Sequence, residues 1–130
     1  MILFFDRSMG TTVPTLLQTP KLKLPVQVEY HQSHFRIEEQ DDVWLADVGT
    51  WGWTVIGQDY SYHKKPNELF AIKLYDIGCF YLWGSEASKW DYFRCFARAY
   101  DRIVEAEATT PRPFIYWVSE KGGLRSIPIP

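Results

Sequence analysis

The chain has 130 residues, of which 46% are hydrophobic, and it contains six tryptophans. This length fits one domain that buries roughly two-thirds of its unfolded surface, and the apolar content excludes a disordered chain. The net charge of −2 excludes a strong overall field that would attract nucleic acid or a membrane surface, although a local basic groove stays possible. We therefore expect a single domain spanning residues 1–130.

The same sequence shows no sign of a membrane segment or an export signal. No apolar run approaches the ~18 residues that a membrane span requires, and the first residues lack the basic segment and the cleavage site of a signal peptide. We expect a cytoplasmic protein with no membrane partner. The two cysteines, Cys79 and Cys95, lie in apolar surroundings without metal-binding spacing. We expect buried free thiols rather than a disulfide.

The first forty residues begin an alternation of strand and helix. Residues 2–5 are an apolar run typical of a strand. Ser8 is a plausible N-cap for a helix that carries Val13, Leu16 and Leu17, although Pro14 inside that pattern requires the helix to start late, near Thr11 or Thr12. Alternating apolar residues over 26–30 predict a second strand with one more exposed face. Residues 31–40 are polar and without a period, which indicates a surface loop of the kind that often carries binding residues.

The segment 41–59 predicts a helix, a tight turn and a strand. Asp41 and Asp42 provide the negative charge that a helix N-terminus favours. One face of this helix is apolar at helical spacing: Trp44, Leu45 and Val48. Residues 53–56 are rich in aromatic and β-branched side chains, as expected for a buried strand. Asp59 follows the end of that strand.

The second half continues the alternation. Pro66 is predicted to open a helix that carries Leu69, Ile72 and Leu74 and that Gly78 ends. Residues 79–83 predict a strand, and residues from Ser85 to about 108 the longest helix. The apolar stripe of this helix is predicted to consist of Trp90, Phe93, Ala97, Tyr100 and Val104. Residues 114–119 and 124–129 flank a glycine turn and predict a terminal hairpin. The fold class is therefore α/β, with a mostly parallel central sheet and a C-terminal hairpin.

Two aspartates occupy equivalent positions at strand ends. Asp6 directly follows the first strand, as Asp59 follows the central one, and functional groups gather at the carboxyl ends of parallel strands. With Asp41 at a helix start, these acids predict a site for Mg²⁺ or Mn²⁺, which prefer oxygen ligands. The alternative is that Asp41 and Asp42 only cap a helix, and that Asp6 and Asp59 lie in solvated turns.

Three blocks in fixed order carry a family resemblance: FFDRSMG at the start, DDVWLADVGTWGWTVIGQD in the middle, and KKPNE after it. Together they resemble the PIN-like domain family, and within it the small bacterial proteins related to VapC-type toxins. The similarity covers nearly the whole chain and implies a three-layer PIN-like domain. It also implies a Mg²⁺- or Mn²⁺-dependent ribonuclease, a hydrolase that attacks RNA phosphodiesters with water activated by a carboxylate-bound ion. Such nucleases are often the toxin of a toxin–antitoxin pair.

The resemblance assigns the metal and catalytic carboxylates to Asp6, to Asp41 rather than Asp42, and to Asp59. Asp42 and Glu68 are implied as support. The chain departs from the family pattern at position 57, where a hydroxyl residue is replaced by glycine, and at position 8, where serine replaces the more usual asparagine. The hydroxyl residue would normally position an acid or a metal-bound water, so its loss puts efficient catalysis in question.

Basic residues in the flanking loops are candidates for RNA phosphate contacts: Arg7, Arg36, Lys64 and Lys65. Each can also be read as an ordinary solvated charge. The three histidines lack metal-binding spacing and are predicted to lie on surface loops: His31, His34 and His63. Expected partners are RNA, an antitoxin protein and a second copy in a homodimer. The second function class is a PIN-like binding or dimerisation module with a degenerate metal site.

Overall fold

The computed structural model describes residues 1–58, 65–84 and 86–130. Its strands are β1 (Ile2–Phe5), β2 (Gln27–Tyr30), β3 (Thr54–Gly57), β4 (Gly78–Leu82), β5 (Phe114–Val118) and β6 (Leu124–Ile127). Within the described residues these six strands form one sheet in the order β2-β1-β3-β4-β5-β6. The pairs from β2 to β5 are all parallel, and β6 pairs with β5 in the antiparallel sense. The last pair is the predicted hairpin.

The α-helices of the described residues are α1 (Thr12–Leu17), α2 (Asp41–Thr50), α3 (Pro66–Leu74) and α4 (Lys89–Thr109). Single turns of 3₁₀ helix follow β1 (Arg7–Met9), α1 (Pro20–Leu22) and β2 (His31–Ser33). The 3₁₀ turn after β2 falls in the segment predicted as an irregular loop. None of the helices in these ranges has the length and the apolar run that crossing a membrane would require.

Alternating side chains of the strands build two separate cores. Leu3 and Phe5 of β1 face one side of the sheet, where they pack with residues of α1 and α4, and Phe4 faces the other side, where it packs with α2 and α3. Both faces of a parallel sheet are covered by helices in this way, which is why its strands read as continuous apolar runs. The structure thus confirms the predicted α/β class, the three layers and the mostly parallel sheet.

The long helix differs from its prediction in start and in register. It begins at Lys89, because the Ser88 hydroxyl accepts a 3.1 Å hydrogen bond from the Asp91 backbone N–H and caps it; Ser85 lies outside the described residues. The predicted apolar stripe was wrong by one to two positions, since Trp90 is 64% exposed. The side chains that are buried instead are Tyr92, Cys95, Phe96, Ala99, Ile103 and Ala106.

The two cysteines are buried and free, as predicted. Burial raises the pKa of the Cys79 thiol to about 12. A thiol is nucleophilic only as the thiolate, so Cys79 is a packing residue of the core and takes no part in chemistry near neutral pH.

Candidate active site

Asp6 lies immediately after β1, at the carboxyl edge of the sheet, and its side chain is fully buried. Its backbone N–H donates to the Ile56 carbonyl at 2.9 Å, which fixes the residue against β3. Its Oδ1 accepts hydrogen bonds from the Ser8 backbone N–H at 3.0 Å and from the Ser8 hydroxyl. Hydrogen bonds of this kind offset part of the cost of burying a carboxylate.

Arg7, the next residue, connects this strand end to the start of α2. Its guanidinium donates to the carbonyls of Ile37 at 2.8 Å and Glu39 at 3.1 Å, and to Oδ1 of Asp41 at 2.5 Å. Arg7 thus links the turn that follows Asp6 to the start of α2, two segments that are more than thirty positions apart in the chain.

Asp41 is the first residue of α2, where its negative charge interacts favourably with the helix dipole. The same oxygen that contacts Arg7 also accepts a 2.9 Å hydrogen bond from the indole N–H of Trp44. Residues three apart on a helix lie on one face, so the Asp–x–x–Trp spacing of the sequence has a structural purpose. It fixes the orientation of the Asp41 carboxylate.

Glu68 lies in the first turn of α3 and is only 8% exposed. Burial raises the pKa of its carboxyl group, and both a side-chain hydrogen bond to Asp41 and repulsion from the Asp41 charge raise it further. The backbone N–H of Glu68 and the nearby Lys65 act in the opposite direction. Two carboxylates in contact need a proton or a cation between them, so Asp41 and Glu68 form a pair that is ready to hold either.

This pair opens into an acidic cleft of about 200 Å³. The described residues that line the cleft are Arg7, Glu38, Glu39, Gln40, Asp41, Asp42, Asn67 and Glu68. Four of these carry carboxylates besides Asp41, and Arg7 is the basic residue among them. The described part of the cleft therefore has the charge of a cation site rather than that of a phosphate site.

A family model described as a PIN-like domain matches residues 1–84, the segment that contains β1 to β4 and the acidic cleft. The chain belongs to the PIN-like domain family. Domains of this family are generally nucleases, typically dependent on a divalent metal ion. Neither a curated protein nor a solved structure matches the chain.

The fit of this PIN-like domain to such an ion depends on how its carboxylates are placed. Within the described ranges, no group of three or more His, Cys, Asp or Glu side chains is placed to hold a metal. The Asp41–Glu68 pair nevertheless has the donors that Mg²⁺ and Mn²⁺ prefer, and Mg²⁺ usually binds through one or two carboxylates while keeping several waters. The chemistry of the donor pair fits the ion. Asp59, the third predicted ligand, lies outside the described residues and stays a prediction.

The remaining predicted residues have different surroundings. Asp42 is exposed at the rim of the cleft. Arg36 is 82% exposed and lies 4.0 Å from Glu38. Lys65 is exposed directly before α3, and Lys64 falls outside the described residues. The Arg7 guanidinium is engaged by acceptors of the protein itself.

One residue near the site was assigned wrongly from the sequence. His31 was predicted to lie on the surface, but it is fully buried between Phe4, Phe35 and Trp44, with ring centroids 5.5 to 6.5 Å apart. Burial lowers the pKa of the His31 imidazole, the nearby Arg7 charge lowers it further, and Asp41 acts against both. The available signal was its place directly after β2, at the same strand-end edge as Asp6.

Ser8 and Gln58 make contacts near Asp6 that were not predicted from the sequence. The Gln58 side-chain amide donates to the Ser8 carbonyl at 2.6 Å. Ser8 in turn holds Asp6. The Gln58–Ser8 contact joins residues fifty positions apart, so the sequence does not indicate it, whereas the Ser8–Asp6 contact is local and joins residues two positions apart.

Proposed function

We propose that this PIN-like domain is a ribonuclease that depends on Mg²⁺ or Mn²⁺ and is the toxin of a toxin–antitoxin pair. The observation that carries the proposal is the acidic cleft that the Asp41 and Glu68 carboxyl groups line together, at the edge of the sheet where Asp6 lies. Asp6, Asp41 and Asp59 are the proposed catalytic metal ligands. Asp42 and Glu68 support them.

Asp41 and Glu68 have separate tasks in this proposal. A bound divalent ion would supply activation of water and neutralisation of charge on the phosphodiester. Asp41 is held in one orientation by Arg7 and Trp44, so little ordering entropy is lost when it binds a ligand. Glu68, whose pKa is raised by burial and by Asp41, can hold a proton at its carboxyl group beside the site.

The RNA and the protein partners belong to the proposal as well. Arg36 and Lys65 are exposed near the cleft and, with Lys64, are proposed to contact phosphates. An antitoxin would mask the acidic cleft with a basic side chain. The apolar side chains of Phe70 and Leu74, which are 66% and 58% exposed on α3, support a homodimer. Light scattering that shows a strict monomer at high micromolar concentration would contradict the dimer.

The test of the nuclease is a melting experiment joined to a cleavage assay. An ion present at ten times its dissociation constant stabilises the folded state by about 1.4 kcal/mol, which corresponds to a rise in melting temperature of roughly 4–6 °C for a chain of this size. We expect this rise with millimolar Mn²⁺, and we expect Asp41→Asn and Asp6→Asn to abolish most of it. Cleavage of single-stranded RNA should disappear in the same variants and in excess chelator.

The matched control is Asp47→Asn, which changes an exposed acid on the same helix as Asp41. It should keep both the metal response and the cleavage. A wild type without a metal response and without cleavage would contradict the nuclease.

A specific observation favours the second function, a binding or dimerisation module. The Arg7 guanidinium already lies on Asp41 at 2.5 Å and supplies the positive charge that an ion would bring. If Arg7 takes the place of a metal ion at Asp41, Mn²⁺ should have no effect on the melting temperature and RNA should not be cleaved. A metal response without cleavage would indicate an ion in a site that has lost catalytic support.

A further inference from the structure

Gly57 is the last residue of β3, and its missing side chain leaves space that Asp6 uses. A Cβ atom at position 57 would lie 2.5 Å from Oδ2 of Asp6 and 3.2 Å from the Tyr81 ring. Contacts under 3.0 Å are not found for real Cβ atoms, so any side chain here would displace the carboxylate or the strand. Glycine at this position is therefore tied to the position of Asp6.

The other oxygen of Asp6 is held from a different direction. Ser8 donates its backbone N–H to Oδ1 at 3.0 Å and donates its hydroxyl to the same atom. A hydroxyl group thus reaches the carboxylate from the turn after β1, and not from position 57.

Ser8 itself is fixed by the residue that follows Gly57. The side-chain amide of Gln58 donates to the Ser8 carbonyl at 2.6 Å, and the Gln58 backbone N–H lies 3.5 Å from the Ser8 hydroxyl. Two neighbouring residues at the end of β3 therefore affect Asp6. Gly57 leaves space for its carboxylate, and Gln58 fixes the turn whose Ser8 donates to that carboxylate.

We infer that Gly57, Ser8 and Gln58 form a positioning unit that fixes the Asp6 carboxylate in one location before any ligand binds. Gly57 leaves room for one oxygen, Ser8 donates to the other, and Gln58 holds Ser8. The inference rests on the proposed function in so far as Asp6 is an acid of the reaction. Groups that orient a metal ligand in this way are commonly worth 10–100-fold in activity.

The first test is a coupling measurement that needs no activity. Gly57→Ala should lower the melting temperature by roughly 5 °C in the wild type, because a methyl group is forced into filled space. Added to Asp6→Asn, whose side chain keeps its shape, Gly57→Ala should lower the melting temperature by the same amount. Added to Asp6→Ala, where the space is empty, it should lower the melting temperature by much less. Equal costs in all three backgrounds would overturn the inference.

The second test concerns Ser8 and does not depend on the folding of the Gly57 variant. Ser8→Ala should lower kcat for RNA cleavage at least tenfold with little change in KM, and Ser8→Thr, which keeps the hydroxyl, should restore it. Ser33→Ala is the control, since Ser33 also lies in a 3₁₀ turn after a parallel strand and donates to a carbonyl, that of Tyr30. A Ser8→Ala variant with full kcat would overturn the role in the reaction.

The two tests separate this inference from the proposed function. If the wild type cleaves no RNA, the ribonuclease is refuted, while the coupling between Gly57 and Asp6 still decides whether the positioning unit exists. If cleavage is present and the coupling is absent, the ribonuclease stands and the positioning unit is refuted.

Discussion

The guanidinium of Arg7 lies 2.5 Å from the carboxylate of Asp41, although the two residues are 34 positions apart. Both side chains are partly shielded from solvent, and Arg7 donates to two backbone carbonyls of the segment before α2 as well. A charge-assisted hydrogen bond in such surroundings is stronger than one on an open surface. This contact ties the end of β1 to the start of α2 and sets the geometry of the acidic cleft.

Removing this cation should destabilise the fold. Arg7→Ala leaves Asp41 beside Glu68 without a counter-charge, and we expect a loss of about 2 kcal/mol in the free energy of unfolding. Arg7→Lys should lose about half of that, since one ammonium group cannot reach all three acceptors. Urea denaturation measures both. Arg36→Ala, at an exposed pair, should change stability by less than ~0.5 kcal/mol, and a loss equal to that of Arg7→Ala would contradict the assignment.

Glu68 should make the protein less stable as the pH rises. Burial and Asp41 raise the pKa of its carboxyl group above the ordinary value of 4.5. The free energy of unfolding that Glu68 contributes is therefore complete below pH 4.5, where the group is protonated in both states, and is lost as the pH rises through the raised pKa. Glu68→Gln should therefore melt a few degrees higher than the wild type at pH 7, with the difference vanishing near pH 4. Thermal melts over this range, with exposed Glu105→Gln as the control, provide the check. A Glu68→Gln variant that melts lower at pH 7 would rule out the strained pair.

His31 should make the protein less stable as the pH falls. Burial first, and then Arg7, lower the pKa of its imidazole below 6.5 in the folded state, so its contribution to stability is complete above pH 6.5 and is lost as the pH falls below that value. His31→Phe should remove this loss, which for one proton is at most about 1.4 kcal/mol per pH unit. Unfolding free energies at pH 7, 6 and 5 would show it.

At Gly49, in the helix that carries Asp41, the helix preference for alanine and the lack of space for a side chain oppose each other. Alanine is preferred over glycine inside a helix by up to about 1 kcal/mol, but a Cβ at position 49 would lie 2.6 Å from the Tyr75 Cβ and 2.9 Å from Ile77. Overpacking of a core costs about 1–3 kcal/mol, so packing wins and Gly49→Ala should destabilise. Asp47→Ala, on the exposed side of the same helix, should stay within ~0.5 kcal/mol. A stabilised Gly49→Ala variant would show that α2 can move away from the segment that follows α3.

Several elements of this PIN-like domain were determined by the sequence itself. The start of the helix Pro66–Leu74 was predicted correctly, because proline at the first position is a local signal. Its predicted end at Gly78 was wrong, since Gly78 begins β4. The run at the end of the central segment predicted β3, and Asp41 was correctly placed at a helix start. Such features depend on neighbours within a few positions, so the sequence alone specifies them.

Other features were decided only by the tertiary structure. The register of α4 depended on the sheet, because apolar residues occur on more than one side of that helix and only packing selects Tyr92 over Trp90. His31 became buried because aromatic rings from β1 and α2 surround it.

The contacts of the site follow the same division. The sequence placed Asp6 at a strand end, and Ser8 holds it from only two positions away, but the space at Gly57 and the contact of Arg7 with Asp41 arise from residues tens of positions apart. Local preferences determine which elements form, whereas long-range packing of those elements determines which side chains meet. For that reason the chain itself indicated the acids of the candidate site, and only the folded structure showed what holds them in place.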